Sequence, residues 1–137
     1  MTLLVPVADG PLRERVLAVA IDLGTALDQK LYVVHLVDSE VADSEAKQMR
    51  DDLRESLEGA PIPATVALEY VGHNGPRAGP RIAQEILELA ADVDVSHIVM
   101  GHTTQGLLGG VTRGSTASAV IDDATVPVTI VPENVSD

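Results

Sequence analysis

Met100-Gly101-His102-Thr103-Thr104-Gln105-Gly106-Leu107-Leu108-Gly109-Gly110-Val111-Thr112-Arg113-Gly114-Ser115-Thr116 stands between an apolar run and a short helical pattern. The run Val95-Ser96-His97-Ile98-Val99-Met100 reads as a buried strand over residues 95–100. Ala117-Ser118-Ala119-Val120-Ile121 opens a helix that ends near Asp123. The five glycines of the stretch let the backbone take positive φ and approach a ligand closely. N–H groups left over at the start of the following helix, at the positive end of its dipole, attract phosphate. Ser115 and Thr116 add hydroxyl donors in its first turn. Strand, glycine-rich bend and helix start together describe a nucleotide phosphate site without a Walker lysine. Gly109-x4-Gly114-Ser115-Thr116 puts a serine where that lysine belongs.

Upstream of this stretch, strands and helices alternate. Leu3-Leu4-Val5-Pro6-Val7 reads as the first strand, and Asp9-Gly10-Pro11 punctuates it. Pro11 suits the first turn of a helix, with Asp9 or Gly10 as its cap. Leu12, Val16, Val19, Ala20, Leu23 and Leu27 then recur at helical spacing. The second strand is the near-continuous apolar run 31–37, as in a parallel sheet covered on both faces. Residues 38–44 form a polar loop, and Ala46, Met49, Leu53 and Leu57 stripe the second helix, which Gly59 and Pro61 end. Residues 64–71 alternate in part and read as a third strand nearer the sheet edge. A third helix starts near Pro80 and buries Ile82, Ile86, Leu89 and Ala90. The last strand is 126–131, followed by a tail from Asn134 to Asp137.

This β-α-β-α-β-α-β-α-β order implies an open parallel sheet with helices on both faces, a three-layer α/β sandwich in a single domain over 1–137. In such sheets a ligand sits beyond the strand C-termini where the strand order reverses, here between the first and fourth strands. Pro127 inside the last strand removes a ladder donor and marks an edge. An exposed apolar edge invites pairing, so a homodimer through strand 126–131 is expected.

Composition narrows the function. The chain has 137 residues, two tyrosines, and no Phe, Trp or Cys. The core is therefore aliphatic, and disulfide or thiolate chemistry is excluded. A net charge of −12 argues against nucleic acid and anionic membranes as partners. The acids are spread along the chain, as on the solvated surfaces of halophilic proteins. With no signal segment and no apolar run of membrane length, a cytoplasmic protein is expected.

The spacing Gly101-x2-Thr104-x9-Gly114-Ser115 resembles the nucleotide motif of the universal stress protein family, G-x2-G-x9-G-[S/T]. The resemblance covers the whole chain: Leu4-Val5-Pro6-Val7, Val34-His35-Leu36-Val37-Asp38, His97-Ile98-Val99-Met100-Gly101 and Val126-Pro127-Val128-Thr129-Ile130-Val131 look like that family's first, second, fourth and last strands. It implies an adenine-nucleotide α-hydrolase-like sandwich with strand order 3-2-1-4-5. It also implies ATP or a related adenine nucleotide as ligand, with or without Mg2+. By the resemblance, Gly101, Thr104, Gly114 and Ser115 surround the phosphates. Leu36 packs by the adenine, and Val7 and Ala8 border adenine and ribose. Met100, Thr103 and Thr116 flank the set, and Asp9 is a candidate acceptor for a ribose hydroxyl. The family's last strand commonly pairs with its copy in a second subunit.

Two departures from the pattern are visible. Thr104 replaces the second motif glycine, and a β-branched residue resists positive φ and adds bulk. Ala8 stands where nucleotide-binding members carry Asp, and Asp9 follows one residue later. Three readings compete. The first is a stress-response protein with a regulatory nucleotide, hydrolysed slowly at most, because no general base is legible. The second is a dimer of the same family that binds no nucleotide and acts through protein partners. The third is a flavodoxin-like carrier, disfavoured by the scarcity of aromatics to flank a flavin.

The remaining polar residues have plainer readings. Asp9, Ser115 and Thr116 suit helix caps. His35 and His97 read as strand histidines held within the fold. His73 and His102 lie in loop positions, and the four histidines lack metal-ligand spacing. Asp122 and Asp123 diverge on a helix end and make no shared acid–base site.

Overall fold

In the computed structural model, side-chain alternation along each strand builds two cores. The structure describes residues 1–8, 10–38, 41–71, 78–92, 94–102 and 116–132. Its elements, in order, are β1 (Thr2–Val7), α1 (Arg13–Leu27), β2 (Lys30–Asp38), α2 (Asp43–Leu57), β3 (Ala64–Val71), α3 (Ala78–Asp92), β4 (Val95–His102), α4 (Thr116–Asp123) and β5 (Val128–Pro132). All ladders are parallel, and the sheet order is β3-β2-β1-β4-β5.

Leu3, Val5, Leu31, Val33 and Val99 turn to one face and pack with Val16, Leu17 and Ala20 of α1 and Leu53 and Leu57 of α2. Leu4, Val34, Leu36, Ile98 and Met100 turn to the other and pack with Ile82 and Ile86 of α3 and Ala117 and Val120 of α4. The period of two in the strands thus feeds both layers of helices. Each fully buried aliphatic side chain contributes about 1.5–3 kcal/mol, which lets a core without Phe or Trp suffice.

Several boundaries differ from the sequence reading. α1 starts at Arg13 rather than at Pro11, and Leu12 holds the N-cap position without a side-chain cap bond. A turn precedes it, closed by the Arg13 N–H on the Gly10 carbonyl at 3.3 Å. Gly10 itself has φ of +149°, which only glycine takes without strain. Leu27, expected in the stripe, is 45% exposed. It ends α1, where Asp28 adopts the left-handed conformation and turns the chain away. The last strand starts at Val128, so Pro127 lies just before it and its carbonyl accepts from the Ile98 N–H at 2.9 Å. β5 is an edge strand, as Pro127 suggested.

Candidate functional site

The chain runs outward from β1 through β2 to β3, then crosses to β4 on the other side of β1. The strand order therefore reverses between β1 and β4, where crevices form in open α/β sheets. The ladders on the two sides of that point differ in length. β1 stays in register with β2 up to Val7↔His35, and β4 stays in register with β5 up to His102↔Pro132. The β1–β4 ladder, by contrast, ends at Leu4↔Ile98. Beyond that pair β1 runs on to Val7 and β4 to His102 with no mutual register.

Pro6 accounts for the early end. The Thr2 N–H donates to the Asp94 carbonyl at 3.0 Å, so Thr2, Leu4 and residue 6 direct their backbone groups toward β4. Proline has no N–H, and the next rung, onto the Val99 carbonyl, cannot form. A proline in a central strand normally contradicts the assignment. Here it falls where one of the two ladders stops. The sequence reading passed over Pro6 as an ordinary strand residue. Its signal was a proline inside a run otherwise built for a central strand.

The described candidate residues gather at this end of the sheet. Val7 is buried, and Ala8, just past β1, is 8% exposed. Met100 is fully buried and shares a core with Leu36, which follows the Val7 partner His35 on β2. Gly101 is buried one residue beyond Met100. Thr116 is buried and opens α4. Asp9, Thr103, Thr104, Gly114 and Ser115 lie outside the described residues, as do His73 and Arg113. Leu36 and Met100 thus lie together in the core under α3 and α4, whereas Val7 turns to the core under α1, and most of the polar part of the expected site falls outside the described residues.

Polar groups elsewhere serve the fold. His35 is buried in β2. His97 Nε2 lies 2.7 Å from Thr129 Oγ1, tying β4 to β5, and burial holds the imidazole below its ordinary pKa. At the far edge, Tyr70, Val71, Arg81, Ile82 and Glu85 line a cleft of about 150 Å³. Beside it, burial and then the Glu85 charge raise the Glu69 pKa above its ordinary value. The Tyr70 hydroxyl donates to Asp43 Oδ1 at 3.3 Å, joining β3 to α2. Among the described residues no group of three or more His, Asp or Glu is placed to hold a metal ion. No helix among them is long and apolar enough to cross a membrane.

A five-stranded parallel sheet in the order β3-β2-β1-β4-β5, with helices on both faces, defines a doubly wound α/β protein. Residues 1–132 match the model of the universal stress protein family, and the chain belongs to that family. Solved structures agree. A universal stress protein from Archaeoglobus fulgidus in complex with dAMP is 25% identical, with a TM-score of 0.67 over 95% of this chain and 96% of that one. Universal stress protein UspA from Lactobacillus plantarum is 20% identical, with a TM-score of 0.72 over 96% and 97%. A universal stress protein in complex with cAMP is 18% identical, with a TM-score of 0.59 over 94% and 96%. No curated protein sequence matches the chain.

Proposed function

We propose that this protein binds ATP or a related adenine nucleotide in the crevice between β1 and β4, as a regulatory ligand in a cytoplasmic stress response. The observation that carries the reading is the β1–β4 ladder, which stops at Leu4↔Ile98 while both strands continue. The complexes of similar proteins with dAMP and cAMP support adenine as the base. In this reading Leu36 and Met100 floor the base pocket, and Val7, Ala8 and Asp9 border the ribose. Gly101, Thr103, Thr104, Gly114, Ser115 and Thr116 carry the phosphates, with magnesium as their counter-ion. Hydrolysis is slow at most, since no general base is assigned.

Titration of the purified protein with ATP and magnesium by calorimetry tests the reading, alongside assay of nucleotide released on denaturation. Saturable binding is expected, and Gly114→Val abolishes it by blocking close backbone approach. Binding unchanged in that variant refutes the assigned phosphate site. A second reading rests on Ala8, a small buried residue where nucleotide-binding members carry an acid. In that reading the fold is kept, nucleotide is not bound, and protein partners carry the signal. Absence of ATP binding by the unsubstituted protein favours it.

The homodimer belongs to the same proposal. β5 is an edge strand whose Val128, Thr129 and Ile130 are only half-buried. Pairing through 126–131 covers that edge. Sedimentation showing a monomer at micromolar concentration removes this part.

A further inference from the structure

A chain needs glycine for a backbone angle that other residues resist, or for space that a Cβ would fill. Among the described residues the glycine with positive φ is Gly10, so Gly101 has ordinary strand geometry. Space is then the reason, and what fills it is on α1. A Cβ built on Gly101 collides with Leu12 Cδ2, and meets Leu12 Cγ at 3.0 Å and Val16 Cγ2 at 3.1 Å. Val99, two residues earlier on β4, packs in the core beneath α1, and alternation sends residue 101 to the same face. α4, where the glycine-rich stretch arrives, packs on the opposite face with Met100. The side of Gly101 from which a side chain would project is therefore occupied by the start of α1.

We propose that Leu12 is a positioning residue of the β1–β4 crevice, seated on the α-carbon of Gly101. The contact locks the entrance of α1, and with it Ala8 and Gly10, to the point where the glycine-rich stretch leaves β4. Glycine at 101 is the socket for Leu12 rather than a concession to phosphate. This assignment deepens the nucleotide reading and rests on it. Leu12 is half-exposed and unbranched at Cβ, so it gives way when crowded, whereas buried Val16 on the helix is stiff. Crowding at 101 thus displaces Leu12 and the turn before it.

The test compares Leu12→Ala, Gly101→Ala and the double variant by thermal unfolding and by calorimetric titration with ATP and magnesium. Gly101→Ala alone is expected to lower Tm by roughly 5 °C through overpacking. It is also expected to weaken ATP binding about tenfold by shifting the crevice wall. In the Leu12→Ala background the same substitution finds room, and its effects shrink to about 1 °C and less than about twofold. Strictly additive melting shifts, or the full loss of ATP affinity in both backgrounds, overturn the proposal. Should Gly101→Ala fail to fold, folding of the double variant supports the socket, and failure of both overturns it. If the unsubstituted protein takes up no ATP, the nucleotide reading and the positioning role fall together. The melting shifts then still decide whether Leu12 and Gly101 are coupled.

Discussion

A single absent N–H at Pro6 falls where the ladder between two neighbouring strands in the middle of the sheet ends. Pro6→Ala restores the donor opposite the Val99 carbonyl, so the β1–β4 ladder gains a rung and the crevice narrows. ATP affinity is expected to fall by about tenfold, the factor that 1.4 kcal/mol represents. Tm should stay within a few degrees, because the new hydrogen bond of about 1 kcal/mol offsets the entropy regained by the unfolded chain. Unchanged affinity in calorimetry removes Pro6 as the cause of the opening. Glu69 offers a second residue-scale prediction. Burial and Glu85 raise its pKa in the fold, so the native state holds that proton more tightly than the unfolded chain does. The stabilisation from protonation is complete below the ordinary carboxylate pKa and is lost as pH rises through the raised one. Glu69→Gln is therefore expected to match the parent protein near pH 4 and to melt higher at pH 7. A constant difference across that range contradicts the shift.

At the scale of elements, what the sequence reveals depends on how local the determining contact is. The second and fourth strands were legible because mostly apolar runs suit a sheet covered on both faces, and both cores bear them out. α2 was legible because Ala46, Leu53 and Leu57 fall on one stripe, and all three are buried. The start of α1 was misread because Pro11 is a good first-turn residue in isolation. The Gly10 turn and the seat of Leu12 against Gly101 instead set the start at Arg13. That contact joins segments far apart in the chain, and no local pattern announces it. For the same reason Gly101 was read only as part of a phosphate motif. The polar half of the proposed site, Asp9 and 103–115, rests on spacing alone. Caps were not legible: Asp9 or Gly10 was expected to cap α1, yet Leu12 holds that position without a side-chain bond. α2 is likewise uncapped, with Ala42 at its N-cap in extended geometry, exposed and with no side-chain cap bond. Ala42→Ser supplies an oxygen for a free N–H of the first turn and is expected to stabilise the fold by about 1 kcal/mol. A rise in Tm of roughly 4 °C checks it, and no rise means that water already satisfies that helix end.

For the whole molecule, the charge balance sets how the proposed site would meet a nucleotide. Nine basic residues face 21 acidic ones, leaving a net charge of −12. The ion pairs Arg13–Glu14, Arg50–Asp51 and Arg54–Asp51 join near neighbours in the chain at 3.4, 3.5 and 3.9 Å. Such exposed pairs contribute little, so much of the long-range repulsion stands unopposed. Salt shortens the reach of that repulsion from about 10 Å at 0.1 M to about 3 Å at 1 M. The compact state should therefore melt at higher temperature as potassium chloride is raised. The same field opposes an approaching nucleotide, whereas N–H groups at a helix start act over a single turn and are little affected at contact. ATP should accordingly bind no more weakly, and associate faster, at 1 M than at 0.05 M salt, opposite to the trend of a site built on lysine and arginine. Stopped-flow association and calorimetry at the two salt concentrations measure this. Affinity that drops about tenfold at high salt shows that cationic side chains, not backbone amides, hold the phosphates.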